Sequence, residues 1–283
     1  MNRQPYLYSI WRSAQIAAAT SQRSVLWTIV ESTVTRVEFD DVSIAYRDSG
    51  ATGGHLYSDT PVLLVHGLGG DGHTWDRFAA QLVRRGRRVI IPDLRGHGRS
   101  AHTASYLLPE FANDVLHLCD RLGLDTVDLV GHSLGGYASS WVAMQRPELV
   151  RRLVIEEQPL PLRSGDEQLS LTRRFPTIPE LWHATTSVIR HPRAVLAFDR
   201  SMTGTMFEQF RKPYPEWWEG LSDITAPTLF LRGGPGGMVD PGKLEQLRAG
   251  LADCTVRAFD CGHSIHRDSY PAFEAEVLPF LGH

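Results

Sequence analysis

"VDLVGHSLGGYASS", residues 127–140, is the stretch whose reading decides the fold. Residues 127–130 have the length and apolar content of a buried strand, and from Leu134 the residues suit a helix. Between them stands Gly131-His132-Ser133-Leu134-Gly135. A strand that becomes a helix across Gly-x-Ser-x-Gly makes a turn so tight that its serine must adopt a strained backbone conformation. A side chain at Gly131 or Gly135 would collide with the crossing strand or helix. The turn lifts the Ser133 hydroxyl to the tip of the sheet, with the positive end of a helix beneath any anion formed there. Ser133 is the candidate nucleophile. A Gly-Ser-Gly loop without chemistry is the plainer alternative, but here the strand before it and the helix after it supply the context that makes the motif informative.

Outward from this stretch, short apolar runs alternate with helical patterns. Strands are expected over 62–65, 89–91, 127–130, 153–155, 228–231 and 255–259, and helices over 75–85, 108–122, 134–146 and 241–251. Such alternation specifies a mostly parallel α/β sheet with helices on both faces. Before it, "VTRVEF" and "VSIAYRD" alternate apolar and polar residues around Asp40-Asp41, which reads as a hairpin. Residues 1–32 form an N-terminal extension in which 10–19 have helical character. The core is 33–157 and 225–283. Between its two parts, 158–224 contain no strand-like run but many prolines and aromatics. Long inserts of this kind, emerging at the carboxyl ends of sheet strands, serve as lids. Trp182, Phe207, Trp217 and Trp218 are the candidate substrate-contacting residues of this helical lid.

Composition removes several classes of function. The 283 residues carry a net charge of −3, so there is no electrostatic footprint for nucleic acid or an anionic membrane. No apolar run approaches the roughly 18 residues of a membrane span. Three cysteines are too few for a disulfide scaffold, and the N-terminus does not read as a secretory signal. A cytoplasmic protein is the expectation. The histidines show no metal-binding spacing and no glycine-rich phosphate loop follows a strand, so neither a metal nor another cofactor is expected.

Two more stretches carry chemistry. "LLVHGLGGDGHTW" follows the strand at 62–65. Its glycines let the chain approach a substrate closely, which suits the Leu68 N–H as one oxyanion donor, with the Leu134 N–H as the other. His66 reads as a structural hydrogen-bonding group rather than a base. "FDCGHSIHRD" follows the last strand. A serine nucleophile needs a base with a pKa near neutrality, and His263 sits in the loop on the same edge of the sheet as Ser133. His266, three residues on, is the competitor and better suits packing against or capping the following segment.

Taken with "VIIPDLRGHGRS", "RLVIEE" and "PTLFLRGG", these stretches resemble the α/β-hydrolase superfamily over roughly residues 33–283. The resemblance implies a Ser–acid–His triad in that chain order. It also implies that Asp93 begins a supporting loop and is not catalytic. The sequence departs from the family at the acid. Relatives commonly place an Asp just before a "Met-Val-x-Pro" stretch, where this chain has Gly237. Asp240 is the obvious substitute, but it precedes Pro241 and a helical pattern and so already suits a helix N-cap. Some branches of the superfamily carry the acid after the strand that follows the nucleophile helix. Here that strand ends in Glu156-Glu157, whose side chains point to opposite faces. Glu157, last before the loop, is the favoured acid, with Glu156 and Asp240 as alternatives.

The resulting expectation is a cofactor-free serine hydrolase that cleaves a carboxylic ester or lactone of a small to medium apolar substrate through an acyl-enzyme. Hydrolysis of a carbon–carbon bond in a diketone by the same triad is the alternative chemistry. A ligand-binding member of the fold with little turnover is the alternative from another class, and burst kinetics with a chromogenic acetate ester would separate it.

Overall fold

The computed structural model describes residues 34–39, 42–52, 60–166, 185, 189, 196–234 and 236–282. The N-terminal extension, Asp40-Asp41, Trp182 and much of the expected lid lie outside the described residues.

Eight strands form one sheet: β1 (Thr35–Phe39), β2 (Val42–Asp48), β3 (Val62–Val65), β4 (Val89–Pro92), β5 (Val127–His132), β6 (Val150–Glu156), β7 (Thr228–Arg232) and β8 (Cys254–Ala258). Their order is β1-β2-β4-β3-β5-β6-β7-β8. The pairings β1–β2 and β2–β4 are antiparallel, and all the others are parallel. The chain therefore steps from β3 to one side for β4 and to the other for β5. The crevice between β3 and β5 is the topological switch point, where ligands of open α/β sheets bind. The loop bearing Leu68 and the turn bearing Ser133 both open onto it.

Among the described residues the α-helices are α1 (Asp76–Arg84), α2 (Leu108–Arg121), α3 (Leu134–Gln145), α4 (Met202–Phe210), α5 (Pro215–Glu219), α6 (Leu244–Gly250), α7 (Ile265–Asp268) and α8 (Tyr270–Leu281). Strand alternation divides the apolar side chains between two cores. Leu63, Val65, Ile90, Leu129, Leu153, Ile155 and Phe230 pack with α2 and α3. Leu64, Ile91, Val130, Val154, Leu229 and Leu231 pack with α1 and α8 on the opposite face. Each fully buried Leu, Ile or Val contributes about 1.5–3 kcal/mol. A one-residue slip in any strand would send these side chains to the wrong face, so the pattern fixes the register.

β6 starts earlier than the apolar run at 153–155. Arg151 and Arg152 extend it because both find partners: Arg151 Nε donates to Asp128 Oδ1 at 2.9 Å and Arg152 to the Leu281 carbonyl at 2.5 Å. The helix expected at 241–251 is divided into a 3-10 turn (Pro241–Lys243) and α6.

The described part of the segment expected to form a lid begins where β6 ends. Met202 and Met206 of α4 are buried, and Gln209 ties α4 to the core by accepting from Leu108 N at 2.9 Å and donating to Tyr106 O at 2.8 Å. Among the described residues, no helix is long and apolar enough to cross a membrane.

Candidate active site

Ser133 caps the N-terminus of α3 with φ 53° and ψ −114°. The strain is held from all sides. A Cβ on Gly131 would lie 2.3 Å from the Gly135 carbonyl oxygen, and one on Gly135 would lie 2.3 Å from the Val65 carbonyl oxygen. Ser133 N donates to the Glu156 carbonyl at 2.8 Å, and Tyr137 N donates back to the Ser133 carbonyl at 3.0 Å. The Leu134 N–H stands at the first turn of α3.

Leu68 lies in the turn after β3, which two buried histidines fix. His66 Nδ1 donates to the Gly67 carbonyl at 2.8 Å while its Nε2 accepts from Leu94 N at 3.0 Å. His97 Nδ1 donates to the Arg95 carbonyl at 2.9 Å while its Nε2 accepts from Gly69 N at 3.1 Å. Each ring acts as one donor and one acceptor, which requires the neutral form. Burial, with His66 adding to it, lowers the His97 pKa to about 3. His66 is thus a structural group. Asp93 is another: its carboxylate accepts from Gly72 N and Arg99 N, each at 2.9 Å.

The two glutamates at the end of β6 diverge as alternation requires. Glu157 takes φ 49°, a left-handed conformation unusual for a non-glycine residue. Its carboxylate, fully buried, accepts from Gly233 N and from Met238 N, the latter at 2.6 Å. Its Oε2 also lies 3.2 Å from His263 Nδ1. A charge-assisted pair is ordinarily about 2.7–2.9 Å. The longer distance fits an oxygen already engaged by Met238 N.

The opening that Glu157 fills is bounded by Gly237. A Cβ there would lie 2.7 Å from Oε1 and 2.8 Å from Oε2. The glycine in the usual acid position and the carboxylate on β6 are therefore two aspects of one arrangement. Asp240 caps the 3-10 turn instead, accepting from Gly242 N at 2.9 Å. Glu156, on the other face, pairs with His266 rather than with His263.

His263 is held from a third direction. His132 Nε2 donates to the His263 carbonyl at 2.9 Å, and the two rings are 4.7 Å apart. Burial lowers the His132 pKa to about 3, so the ring is neutral. Among the described residues, no hydrogen bond joins Ser133 Oγ to the His263 ring. Such contacts commonly tighten only when substrate is bound.

Three of the four aromatic residues expected to contact a substrate lie among the described residues. Trp217 and Trp218 are buried, and their indole N–H groups donate to Ser140 Oγ at 2.9 Å and the Pro161 carbonyl at 3.1 Å. The first bond ties α5 to α3, and the second ties α5 to the chain just after β6. Phe207 is 41% exposed, on the side of α4 away from the buried Met202 and Met206. Trp182 lies outside the described residues.

Sequence reasoning missed His132 and His97, whose partners are distant in the chain, and the Gly233 and Met238 N–H groups. The one available signal was Gly237, the missing acid itself.

A strained serine between β5 and α3, a histidine after β8 and a mostly parallel sheet switching at β3/β5 define the class. The chain belongs to the alpha/beta hydrolase fold family, whose model matches residues 60–219. It is 27% identical to the sn-1-specific diacylglycerol lipase ABHD11 of Xenopus laevis, over 78% of this chain and 79% of that protein. It is also 27% identical to a 2-hydroxy-6-oxononadienedioate/2-hydroxy-6-oxononatrienedioate hydrolase of Klebsiella pneumoniae, over 78% of this chain and 86% of that one. Among solved structures, a hydrolase from Pseudomonas aeruginosa PA01 superposes with a TM-score of 0.70 at 27% identity, covering 89% of this chain and 99% of its own.

Proposed function

We propose that the protein is a serine hydrolase that cleaves a carboxylic ester or lactone by means of Ser133, His263 and Glu157. The observation that carries this reading is the Glu157–His263 pair beside a strained Ser133. A buried carboxylate facing Nδ1 fixes the tautomer that leaves Nε2 free to accept a proton.

In this mechanism His263 takes the Ser133 proton as Oγ attacks the substrate carbonyl. The N–H groups of Leu68 and Leu134 hold the oxyanion. His263 then protonates the leaving oxygen, and the acyl-enzyme is released by a water that His263 deprotonates. The Glu157 carboxylate stabilises the imidazolium. The protein's own residues suffice for each proton transfer, and the substrate is a small molecule. The likeness to a diacylglycerol lipase supports an ester.

The similarly distant likeness to a hydrolase of an oxo-dienedioate supports a second reading, carbon–carbon bond hydrolysis by the same triad. A fluorophosphonate probe tests the shared part: it should label Ser133, and Ser133→Ala should abolish labelling. Absence of labelling in folded protein would sink both readings. Turnover of p-nitrophenyl or lactone substrates, with none of a vinylogous diketone, selects the ester reading, and the converse selects the second.

A further inference from the structure

Glu156 and His266 lie next to these residues, are almost fully buried, and take no part in the proposed reaction. Strand alternation turns Glu156 away from Glu157, onto the face of the sheet that holds Trp75 and Phe273. There its Oε1 accepts the His266 main-chain N–H at 2.9 Å, and both carboxylate oxygens lie 2.9 Å from His266 Nδ1. The His266 ring lies against Trp75, with centroids 4.1 Å apart and planes at 24°, and stands edge-on to His132 at 5.1 Å. The carboxylate thus grips the first turn of α7, three residues beyond His263.

The other end of the same residue grips the nucleophile, because the Glu156 carbonyl accepts the Ser133 N–H. His132, between these contacts, donates to the His263 carbonyl. One residue of β6 therefore fixes the strained turn through its backbone and the loop of His263 through its side chain.

A buried carboxylate and imidazole are an expensive way to hold a fold, since apolar side chains of similar volume often do as well or better. Burial raises the Glu156 pKa to about 7, which shows how far the site disfavours the free anion. Directional hydrogen bonds supply what an apolar pair does not, a fixed orientation.

We propose that Glu156 and His266 form a positioning pair that sets the angle and distance at which His263 meets Ser133. The proposal rests on the reading of Ser133 and His263 as nucleophile and base. Neither Glu156 nor His266 touches the reacting atoms. Their effect is on kcat through alignment, where a misplacement near 1 Å lowers rate about 100-fold.

The test compares Glu156→Gln, His266→Phe and His266→Asn with wild type. Active sites are titrated with a fluorophosphonate, and kcat, KM and Tm are measured on one chromogenic ester. Phenylalanine keeps the stacking on Trp75 but gives Glu156 no side-chain donor. Asparagine places an amide nitrogen near the position of Nδ1. Glu156→Gln and His266→Phe should lower kcat per titrated site about 10–100-fold with KM within about twofold, and His266→Asn should recover most of it. If Glu156→Gln is not recovered folded, the Phe and Asn variants decide alone. Unchanged kcat per titrated site in His266→Phe would overturn the proposal whatever happens to Tm, because the pair would then serve packing only. A fall in His266→Asn as large as in His266→Phe would also overturn it, since ring shape rather than hydrogen bonding would be at work. If wild-type Ser133 is not labelled, the hydrolase reading itself fails and the pair's role with it. That outcome differs from a labelled wild type with unaltered variants.

Discussion

Gly237→Ala adds a single methyl group in a place where the structure leaves no room. The new Cβ would lie 2.7 Å from Glu157 Oε1, 2.8 Å from Oε2 and 3.0 Å from Cδ, whereas ordinary contact begins at 3.4 Å. Something must move by about 0.7 Å. The carboxylate is fully buried on a residue already at φ 49°, so it has little freedom to swing aside. If it retreats, its bonds to Met238 N and His263 Nδ1 change; if the 237–238 loop lifts, Met238 N is lost. Overpacking of this kind costs about 1–3 kcal/mol of stability, or about 2–4 °C of Tm per kcal/mol for a chain near this size. A shift of a few tenths of an ångström to 1 Å at the proposed orienting acid should lower kcat about 10–100-fold. The assay is kcat per fluorophosphonate-titrated site on a chromogenic ester, repeated in a Glu157→Ala background. There the three atoms nearest to the new methyl group are gone, so Gly237→Ala should have much less further effect. Full activity and unchanged Tm in Gly237→Ala, or equal losses in both backgrounds, would refute the claim that this glycine and Glu157 share one space.

Three further outcomes follow from the same geometry. Restoring the acid to its usual position should work only when the space is vacated: Glu157→Ala/Gly237→Asp should be more active than Glu157→Ala, and Gly237→Asp alone should be impaired, as read by kcat. Trp217→Ala should remove a fully buried indole at a cost of about 3–5 kcal/mol, a Tm loss on the order of 10 °C, while slowing esters of different acyl size by similar factors per titrated site; a change in their ranking would restore a substrate contact. His97 has a folded pKa of about 3 against 6.5 unfolded, so the unfolded chain binds the extra proton between those values and the stability contributed by neutral His97 is lost as pH falls from about 6.5 to about 3. His97→Gln, which can still accept from Gly69 N but does not titrate, should flatten the acid side of the Tm–pH curve, whereas parallel curves would remove His97 from the account.

Much of this was legible in the sequence because it rests on local pattern. Apolar runs of three to five residues, glycines at fixed offsets around Ser133 and the divergence of Glu156 and Glu157 are all consequences of strand and turn geometry. The reason for Gly237 was half legible: the absence of an acid could be seen, but not that a carboxylate from another strand occupies its place. α8 escaped, because Pro279 inside it interrupts its pattern and its apolar content obscures a single stripe. The packing partners of the aromatic residues in 158–224 were not legible, for a physical reason. Composition shows that tryptophans will be buried but not against what: Trp217 bonds to Ser140 of α3, and Trp218 to the Pro161 carbonyl. His97 and His132 were beyond reach because their function depends on backbone partners 28 and 131 positions away.

The central claim, that the acid acts from the end of β6, is tested most directly by kcat per titrated site in Glu157→Gln and Asp240→Asn. Glutamine cannot accept from Gly233 N, Met238 N and His263 Nδ1 at once, and losing the orienting acid should lower kcat by about 10³–10⁴-fold. Asparagine caps a helical turn about as well as aspartate, so Asp240→Asn should stay within about twofold of wild type. An inactive Asp240→Asn beside an active Glu157→Gln would contradict the account and return the acid to the loop after β7.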